Sequence, residues 1–234
     1  MTDSSHEALL RPWYKNHPHF TVGGSLHAVP GNQRAATAAA LTANQCRVHA
    51  DIIVDGSGEH LGVTWAELAD VRIAAPDARL DLHVIVPDEL TSELAAELLS
   101  DVTSAARRFG VEAITLDATQ IASHRPILDA LRPDDIELWV ELSPRASSPE
   151  IPAEIDGAVI MFITPGTQEL ANPAMLHHVT RLAPRIATAV DGGITEELAA
   201  QCVANGARYV VAGRSLLTAA NPTVTSPTER RVHP

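Results

Sequence analysis

The chain is short of lysine, of cysteine and of long apolar segments. Its one lysine, Lys15, precedes the first strand-like run, whereas Schiff-base chemistry and lysine-dependent decarboxylation need a lysine inside the pocket. The two cysteines, Cys46 and Cys202, lie in separate apolar runs, so we expect small buried thiols and neither a disulfide nor a metal pair. The sequence therefore argues against a lysine-dependent aldolase or decarboxylase.

Positive charge is also scarce. Lys and Arg number 17 against 29 Asp and Glu, which gives a formal net charge of −12. Nucleic-acid binding needs a basic face, so we expect no nucleic-acid partner, whereas a small phosphorylated ligand needs only a few local donors. No segment approaches the roughly 18 uninterrupted apolar residues of a membrane helix, and the polar N-terminus is unlike a signal peptide. We therefore expect a cytoplasmic protein that does not bind membranes.

Apolar runs alternate with amphipathic runs at intervals of about 20 to 30 residues, which is the pattern of βαβ units in a parallel sheet. The predicted strands lie near residues 20–28, 46–54, 80–86, 112–116, 136–142, 157–163, 186–191 and 208–213. Eight strands in 234 residues suit one (β/α)₈ barrel, which typically needs about 250 residues. The sequence thus predicts an α/β protein with a single TIM barrel over residues 20–220, an N-terminal extension over 1–19 and a loose tail over 221–234.

Capping residues mark several helix boundaries. Thr64 and Glu67 have the spacing of a capping box. A long amphipathic run over residues 90–109 ends at Gly110, which is typical of a helix C-cap. Ser148 before a proline predicts another helix start, and Thr195 is expected to cap the helix after the last glycine pair.

Asp191 ends a short apolar run and is followed by Gly192 and Gly193. A carboxylate at the carboxyl end of a barrel strand lies where such enzymes keep their chemistry. The two glycines let backbone N–H groups approach an anion closely. The next strand-like run ends similarly at Gly213 and Arg214, so the last two turns predict a phosphate site. At a helix start, Arg214 could hold that phosphate through two parallel hydrogen bonds.

The second and third predicted strands carry metal-ligand side chains. Strand side chains alternate between faces, so His49 and Asp51 share one face of the second strand. His83 stands alone among apolar residues in the third strand. With Asp191 they make a set of two imidazoles and two carboxylates, which suits one divalent ion such as Zn²⁺, Fe²⁺, Mn²⁺ or Co²⁺.

The same residues carry a family resemblance. The chain resembles the ribulose-phosphate 3-epimerase family of TIM barrels over roughly residues 20–222. In the first half of the barrel the resemblance lies in Ser25-Leu26-His27-Ala28, His49-Ala50-Asp51 with Asp55-Gly56, and Leu80-Asp81-Leu82-His83-Val84-Ile85-Val86. In the second half it lies in Met161 with Pro165-Gly166 and Gln168, Val190-Asp191-Gly192-Gly193-Ile194, and Val211-Ala212-Gly213. The resemblance implies a divalent metal held by His49, Asp51, His83 and Asp191. It also implies a substrate and phosphate shell made of Ser25, Met161, Gly166, Gly192, Gly193, Gly213 and Arg214.

The activity implied by the resemblance is a metal-dependent epimerase that inverts C3 of a phosphorylated ketose, most simply D-ribulose 5-phosphate to D-xylulose 5-phosphate. A metal polarises the neighbouring carbonyl and stabilises the enediolate that forms. Asp51 and Asp191 are the implied acid–base pair, one on each face of the substrate. The family often forms dimers or larger rings, so we expect self-association.

Several positions depart from the family pattern. Val54 is an extra residue, so either His49 and Asp51 or Asp55 lies out of the usual register unless a bulge absorbs it. Ile53 and Ile85 stand where the family has methionines, Asp117 stands where it has a histidine, and Arg214 stands where it usually has a serine. Two alternative functions therefore stay open. One is the same enolisation chemistry on another sugar phosphate, and the other is a barrel that binds a sugar phosphate without catalysis.

Overall fold

The computed structural model describes residues 9–144, 151–165, 167 and 169–218. Eight parallel strands close into a barrel in which each strand pairs with its neighbours in chain order. They are β1 (Val22–Ser25), β2 (Arg47–Ile53), β3 (Leu80–Ile85), β4 (Ala113–Asp117), β5 (Glu137–Leu142), β6 (Gly157–Met161), β7 (Ala187–Asp191) and β8 (Tyr209–Ala212). The predicted (β/α)₈ barrel and its eight strands are confirmed.

Seven α-helices occur in the described part of the chain. They are α1 (Gly31–Ala43), α2 (Trp65–Ala74), α3 (Ser92–Phe109), α4 (Ala118–Ser123), α5 (Arg125–Leu128), α6 (Leu176–Leu182) and α7 (Glu196–Ala204). None of these helices is long and apolar enough to cross a membrane. Short 3₁₀ helices cover Pro12–Asn16, Leu26–Ala28, Asp129–Asp134 and Pro173–Met175.

The predicted caps at Thr64, Gly110 and Thr195 are present. Thr64 and Glu67 exchange the two hydrogen bonds of a capping box at the start of α2. Gly110 ends α3 with a φ of 58°, the left-handed conformation that glycine adopts without strain. Thr195 accepts a hydrogen bond from the Leu198 N–H and caps α7. The helix start predicted at Ser148 lies outside the described residues.

Two apolar clusters form the core of the described part of the chain. The larger cluster fills the space between the barrel and its helices, and the smaller one lies inside the barrel. The inner cluster contains Ala113, Trp139, Val159, Met161, Ala189, Tyr209 and Val211. The inner positions of β2 and β3 are polar instead and carry Arg47, His49, Asp51, Asp81 and His83, all buried. One side of the barrel interior is therefore built from charged groups that need partners.

The described part of the N-terminal extension packs against the chain that follows α1 and β8. Trp13 and Tyr14 are both buried. The Trp13 indole donates to the Ser215 carbonyl at 2.9 Å, and the Tyr14 hydroxyl donates to Asn44 at 2.6 Å. Because these contacts bury two large side chains, this part of the extension belongs to the folded core.

The extra residue Val54 does not disturb the register of β2. The pairing of β2 with β3 runs from Val48 opposite Leu80 to Ile53 opposite Ile85 without a skipped residue. Val54 lies beyond the strand and forms an isolated bridge to the loop before α2. Val54 thus lies after the strand, the β2–β3 pairing contains no bulge, and His49 and Asp51, the candidate ligands on β2, keep their inward direction.

Candidate metal centre

Four side chains from three strands meet at the carboxyl end of the barrel. The donor atoms of His49, Asp51, His83 and Asp191 all lie within 4.8 Å of one another. His49 Nε2 lies 3.4 Å from Asp51 Oδ1 and 3.6 Å from Asp191 Oδ2. His83 Nδ1 lies 3.5 Å and 3.9 Å from the same two oxygens. The predicted set therefore converges, and it could hold one metal ion.

The spacing of these donors suits a tetrahedral site. Four ligands at about 2.0–2.1 Å from a zinc-sized ion lie about 3.4 Å from one another. The nitrogen-to-oxygen distances of 3.4–3.9 Å are close to that value, and they are too long for good hydrogen bonds. His49 Nε2 and His83 Nδ1 are buried and lack a hydrogen-bond partner among the described residues. A cation would satisfy both nitrogens, so the residues present fit a divalent metal.

Each imidazole is fixed through its other nitrogen. His49 Nδ1 contacts Asp81 Oδ2 at short range, and His83 Nε2 lies 2.8 Å from Glu141 Oε2. Such carboxylate–histidine pairs set the tautomer and the ring orientation of metal-binding histidines. His49 thus presents Nε2 to the cluster, while His83 presents Nδ1.

Each carboxylate is likewise fixed through its other oxygen. The Ser25 hydroxyl donates to Asp51 Oδ2 at 2.8 Å, and the Gly192 N–H donates to Asp191 Oδ1 at 2.6 Å. Asp51 Oδ1 and Asp191 Oδ2 are then the oxygens nearest the imidazoles. In each of the four residues, therefore, one ring nitrogen or carboxylate oxygen contacts a neighbour, and the other is directed into the cluster.

Burial and neighbouring charges set the protonation of the two imidazoles. Burial lowers the pKa of His49, but the carboxylates of Asp51 and Asp81 outweigh it and hold that pKa well above its usual value. Burial also lowers the pKa of His83, but the neighbouring carboxylates of Asp51 and Glu141 raise it to about 10. Both shifts favour the cationic form of each ring in the metal-free protein.

The two carboxylates of the cluster have different acidities. Burial favours the neutral form of Asp51, but the neighbouring imidazoles hold its pKa well below the usual range. Burial raises the pKa of Asp191 to about 6; the charge of His49 opposes this rise and that of Asp51 adds to it. Two imidazolium protons carry the same charge as one divalent cation, so a metal can replace them without changing the net charge of the interior.

An ion-pair network extends from the buried His49 through the buried Asp81 and Arg47 to the half-buried Glu112, toward the opposite end of the barrel. Asp81 accepts from Arg47 Nε at 3.3 Å, and Arg47 reaches Glu112 at 3.0 Å. The Arg47 guanidinium also lies 4.6 Å from the centre of the Tyr209 ring. Because Arg47 neutralises Asp81, the residue that orients His49 is itself held in place.

Asp81 and Glu141 contact the two candidate histidine ligands, and the sequence prediction included neither of them among the site residues. Asp81 lies two residues before His83 and so shares its face of β3, which is a signal that strand alternation offers. Glu141 lies near the end of β5 and carries no motif of its own. Its role depends on a contact between β3 and β5, two strands that do not pair, which sequence spacing does not reveal.

The two glycines after β7 have the predicted backbone freedom, and Gly213 after β8 is closely packed. Gly192 and Gly193 adopt φ values of 98° and 67°. A Cβ on Gly192 would lie 2.9 Å from the Ile163 nitrogen, and one on Gly213 would lie 2.8 Å from the Ala28 side chain. Within the described residues the N–H of Gly193 donates to no acceptor, so it is free to meet an anion.

The other predicted shell residues have varied environments. Arg214 is exposed and lies in a turn, and no helix begins there in the part of the chain that the structure describes. Ser25 is engaged with Asp51, which gives its hydroxyl a partner other than phosphate. Met161 is buried in the inner apolar cluster, opposite Asp191 in the β6–β7 pairing. Gly166 lies outside the described residues.

Comparison with known proteins identifies the fold. No protein-family model matches the chain, and no curated protein sequence matches it. Among solved structures, a tryptophan synthase alpha-subunit from Pyrococcus furiosus is similar at a TM-score of 0.56 and 15% identity, covering 83% of this chain and 86% of that one. The KGPDC of Streptococcus mutans, solved as a ligand complex, is similar at a TM-score of 0.55 and 16% identity, covering 82% and 87%.

A third solved structure, the tryptophan synthase subunit alpha of Campylobacter jejuni, is similar at a TM-score of 0.53 and 12% identity, covering 87% of this chain and 90% of that one. Identities this low carry the architecture and no activity. The resemblance to ribulose-phosphate 3-epimerases therefore rests on the site residues, and the comparisons add to it only that the chain is a TIM barrel.

Proposed function

We propose that the protein is a metal-dependent 3-epimerase of a phosphorylated ketose, with D-ribulose 5-phosphate as the simplest substrate. One observation carries the proposal: two imidazoles and two carboxylates direct buried donor atoms into one space at the carboxyl end of a TIM barrel. This end is where barrel enzymes perform their chemistry. His49, Asp51, His83 and Asp191 would hold the ion.

A divalent ion, when bound, would supply Lewis-acid polarisation of a substrate carbonyl. Asp51 and Asp191 would move the proton, because inversion at one carbon needs two acid–base groups that reach it from different sides. They come from β2 and β7, which lie three strand positions apart around the barrel. With the inward oxygen of each carboxylate on the ion, its second oxygen, which here accepts a hydrogen bond from Ser25 or from Gly192, would be the one that exchanges a proton.

The phosphate would bind beyond Asp191, at the turns after β7 and β8. Gly193 is exposed there with a free N–H among the described residues, and Arg214 is exposed on the next turn. Backbone donors at such turns and an arginine guanidinium both favour an anion. The S. mutans KGPDC, which shares the fold, was solved with a ligand bound, and that complex supports a small-molecule site on a barrel of this kind.

A second candidate is the same enolisation chemistry on a different sugar phosphate. Ile53 and Ile85 are half-buried at the carboxyl ends of β2 and β3, where the family resemblance leads us to expect methionines. Asp117, where the resemblance leads us to expect histidine, caps α4 through the N–H groups of Thr119 and Gln120. These changes alter the walls around the substrate and leave the metal ligands in place, so they favour a change of substrate over a change of reaction.

Proton exchange at C3 tests both candidates. The metal-loaded protein is mixed in D₂O with each of several ketose phosphates, and loss of the C3 proton signal is followed by NMR. We expect exchange and epimerisation with at least one substrate, and loss of both in Asp51→Asn and in Asp191→Asn. Asp55→Asn is the matched control, because within the described residues the Asp55 carboxylate accepts turn hydrogen bonds from Ser57 and Glu59 and contacts no candidate ligand.

Near-normal exchange in either asparagine variant would remove the acid–base assignment. Exchange with another ketose phosphate but not with D-ribulose 5-phosphate would favour the second candidate. If the protein binds metal and ligand but exchanges no proton with any of them, it is a sugar-phosphate-binding barrel without catalysis.

A further inference from the structure

We infer that Glu141 is a positioning residue that fixes which nitrogen of His83 is available to the metal. This inference rests on the proposed function, since it concerns the same ion. It adds a residue to the site that neither the motif pattern nor the comparisons indicate.

Glu141 contacts His83 at the nitrogen that does not face the cluster. Glu141 Oε2 lies 2.8 Å from His83 Nε2, and His83 is completely buried. A carboxylate there accepts the Nε2–H bond, so Nε2 keeps its proton and Nδ1 is the nitrogen that can give its lone pair to an ion. That Nδ1 is the buried atom without a hydrogen-bond partner among the described residues.

The two histidines of the cluster depend on their carboxylates to different degrees. Asp81, which holds His49, is also held by Arg47 within the barrel interior. Glu141 has His83 as its one ion-pair partner within the described residues. In the part of the chain that the structure describes, the Glu141 carboxylate therefore acts on His83 without a competing cation, and no other carboxylate contacts His83 Nε2.

The contact between His83 and Glu141 also crosses an intervening strand. His83 lies on β3 and Glu141 on β5, with β4 between them. Thr115 is the β4 residue opposite His83 in the β3–β4 pairing, and it has no carboxylate to offer. Without Glu141 no carboxylate would keep the proton on Nε2, and a joint change of χ1 and χ2 could bring Nε2 to the ion in place of Nδ1, so His83 would no longer be held in one binding orientation.

Metal affinity in Glu141→Ala and Glu141→Gln tests the inference. The probe is Co²⁺, titrated into metal-free protein and followed by its visible absorption spectrum, with dissociation constants taken from chelator competition. Loss of such an outer partner typically weakens metal binding about 10–100-fold. We expect that loss in Glu141→Ala, and a smaller one in Glu141→Gln because the amide oxygen still accepts the Nε2–H bond.

The matched control is Glu137→Gln, which neutralises a carboxylate on the same strand at the other end of the barrel. Glu137 accepts from the Trp139 indole at 2.9 Å and contacts no ligand residue among those that the structure describes. We expect its affinity for Co²⁺ to stay within about twofold of the wild type. Nitrogen-15 NMR of the Zn²⁺-loaded protein should show His83 bound through Nδ1 alone in the wild type, and through a mixture of both nitrogens in Glu141→Ala.

Wild-type affinity and an unchanged Co²⁺ spectrum in Glu141→Ala would overturn the inference and leave the proposed function intact. If the alanine variant does not fold, the glutamine variant decides, since an unchanged affinity there would overturn the inference. If the wild type itself binds no Co²⁺, the proposed metal site fails, and the role of Glu141 fails with it.

Discussion

Binding of a divalent metal to the metal-free protein should release about two protons at pH 7. The pKa of His49 is held well above its usual value and that of His83 is raised to about 10, so both rings carry a proton at this pH. A ligating imidazole must be neutral, so each ring loses one proton when the ion binds. Asp51 is already ionised, because its pKa is lowered.

The sign and the size of the pH effect follow from that count. Metal affinity rises as pH rises, by about 100-fold per pH unit while two protons are displaced. The slope declines as pH approaches 10, where His83 is already losing its proton. Below pH 6 a third proton is displaced, since the pKa of Asp191 is raised to about 6.

Calorimetric titration with Co²⁺ in buffers of different ionisation enthalpy measures the proton count directly. His83→Gln should lower the release at pH 7 to about one proton. The matched control His177→Gln, which changes an exposed imidazole on α6, should leave it at two. Release of less than about one proton by the wild type would show that the buried carboxylates do not hold the imidazoles in their charged form, and it would refute the electrostatic reasoning.

Three further predictions concern turnover and stability. Asp51→Asn and Asp191→Asn should each lower the rate of proton exchange at least about 10²–10⁴-fold with an unchanged far-ultraviolet circular dichroism spectrum, and near-normal exchange would contradict their roles. Arg47→Met should lower the free energy of unfolding by about 3–5 kcal/mol, because it leaves the buried Asp81 carboxylate with one cationic partner fewer. In the same urea titrations Arg79→Met should cost less than about 1 kcal/mol, because its ion pair is partly exposed; equal losses would contradict the buried network. Removing the metal by chelation should lower the Tm by about 8–16 °C, since a ligand present at about 1,000 times its Kd contributes about 4 kcal/mol; an unchanged Tm in calorimetry would argue against a resident ion.

The barrel and its four candidate ligands could be predicted from local sequence rules. The alternation of apolar and amphipathic runs identified all eight strands, because each parallel strand buried on both faces reads as a short apolar segment. The period of two in a strand placed His49 and Asp51 on one face. Asp191 followed from its position at a strand end before two glycines.

The partners of those ligands could not be predicted in the same way. Glu141 meets His83 across an intervening strand, and Ser25 meets Asp51 through its hydroxyl, so both contacts depend on how the barrel closes. The place of Val54 also depended on tertiary structure, because it bridges to His60 in the loop after β2 and leaves the β2–β3 register unbroken. Sequence spacing fixes the face of a side chain, whereas the closed barrel decides what that side chain contacts.

X-ray absorption spectroscopy of the Co²⁺-loaded or Zn²⁺-loaded protein would decide whether the four side chains bind one ion. We predict one ion per chain with two imidazole nitrogens and two carboxylate oxygens as ligands at about 2.0–2.2 Å. The imidazole signal should fall by half in His49→Gln and in His83→Gln. A spectrum without imidazole ligands, or one that neither substitution changes, would show that these side chains do not hold the ion.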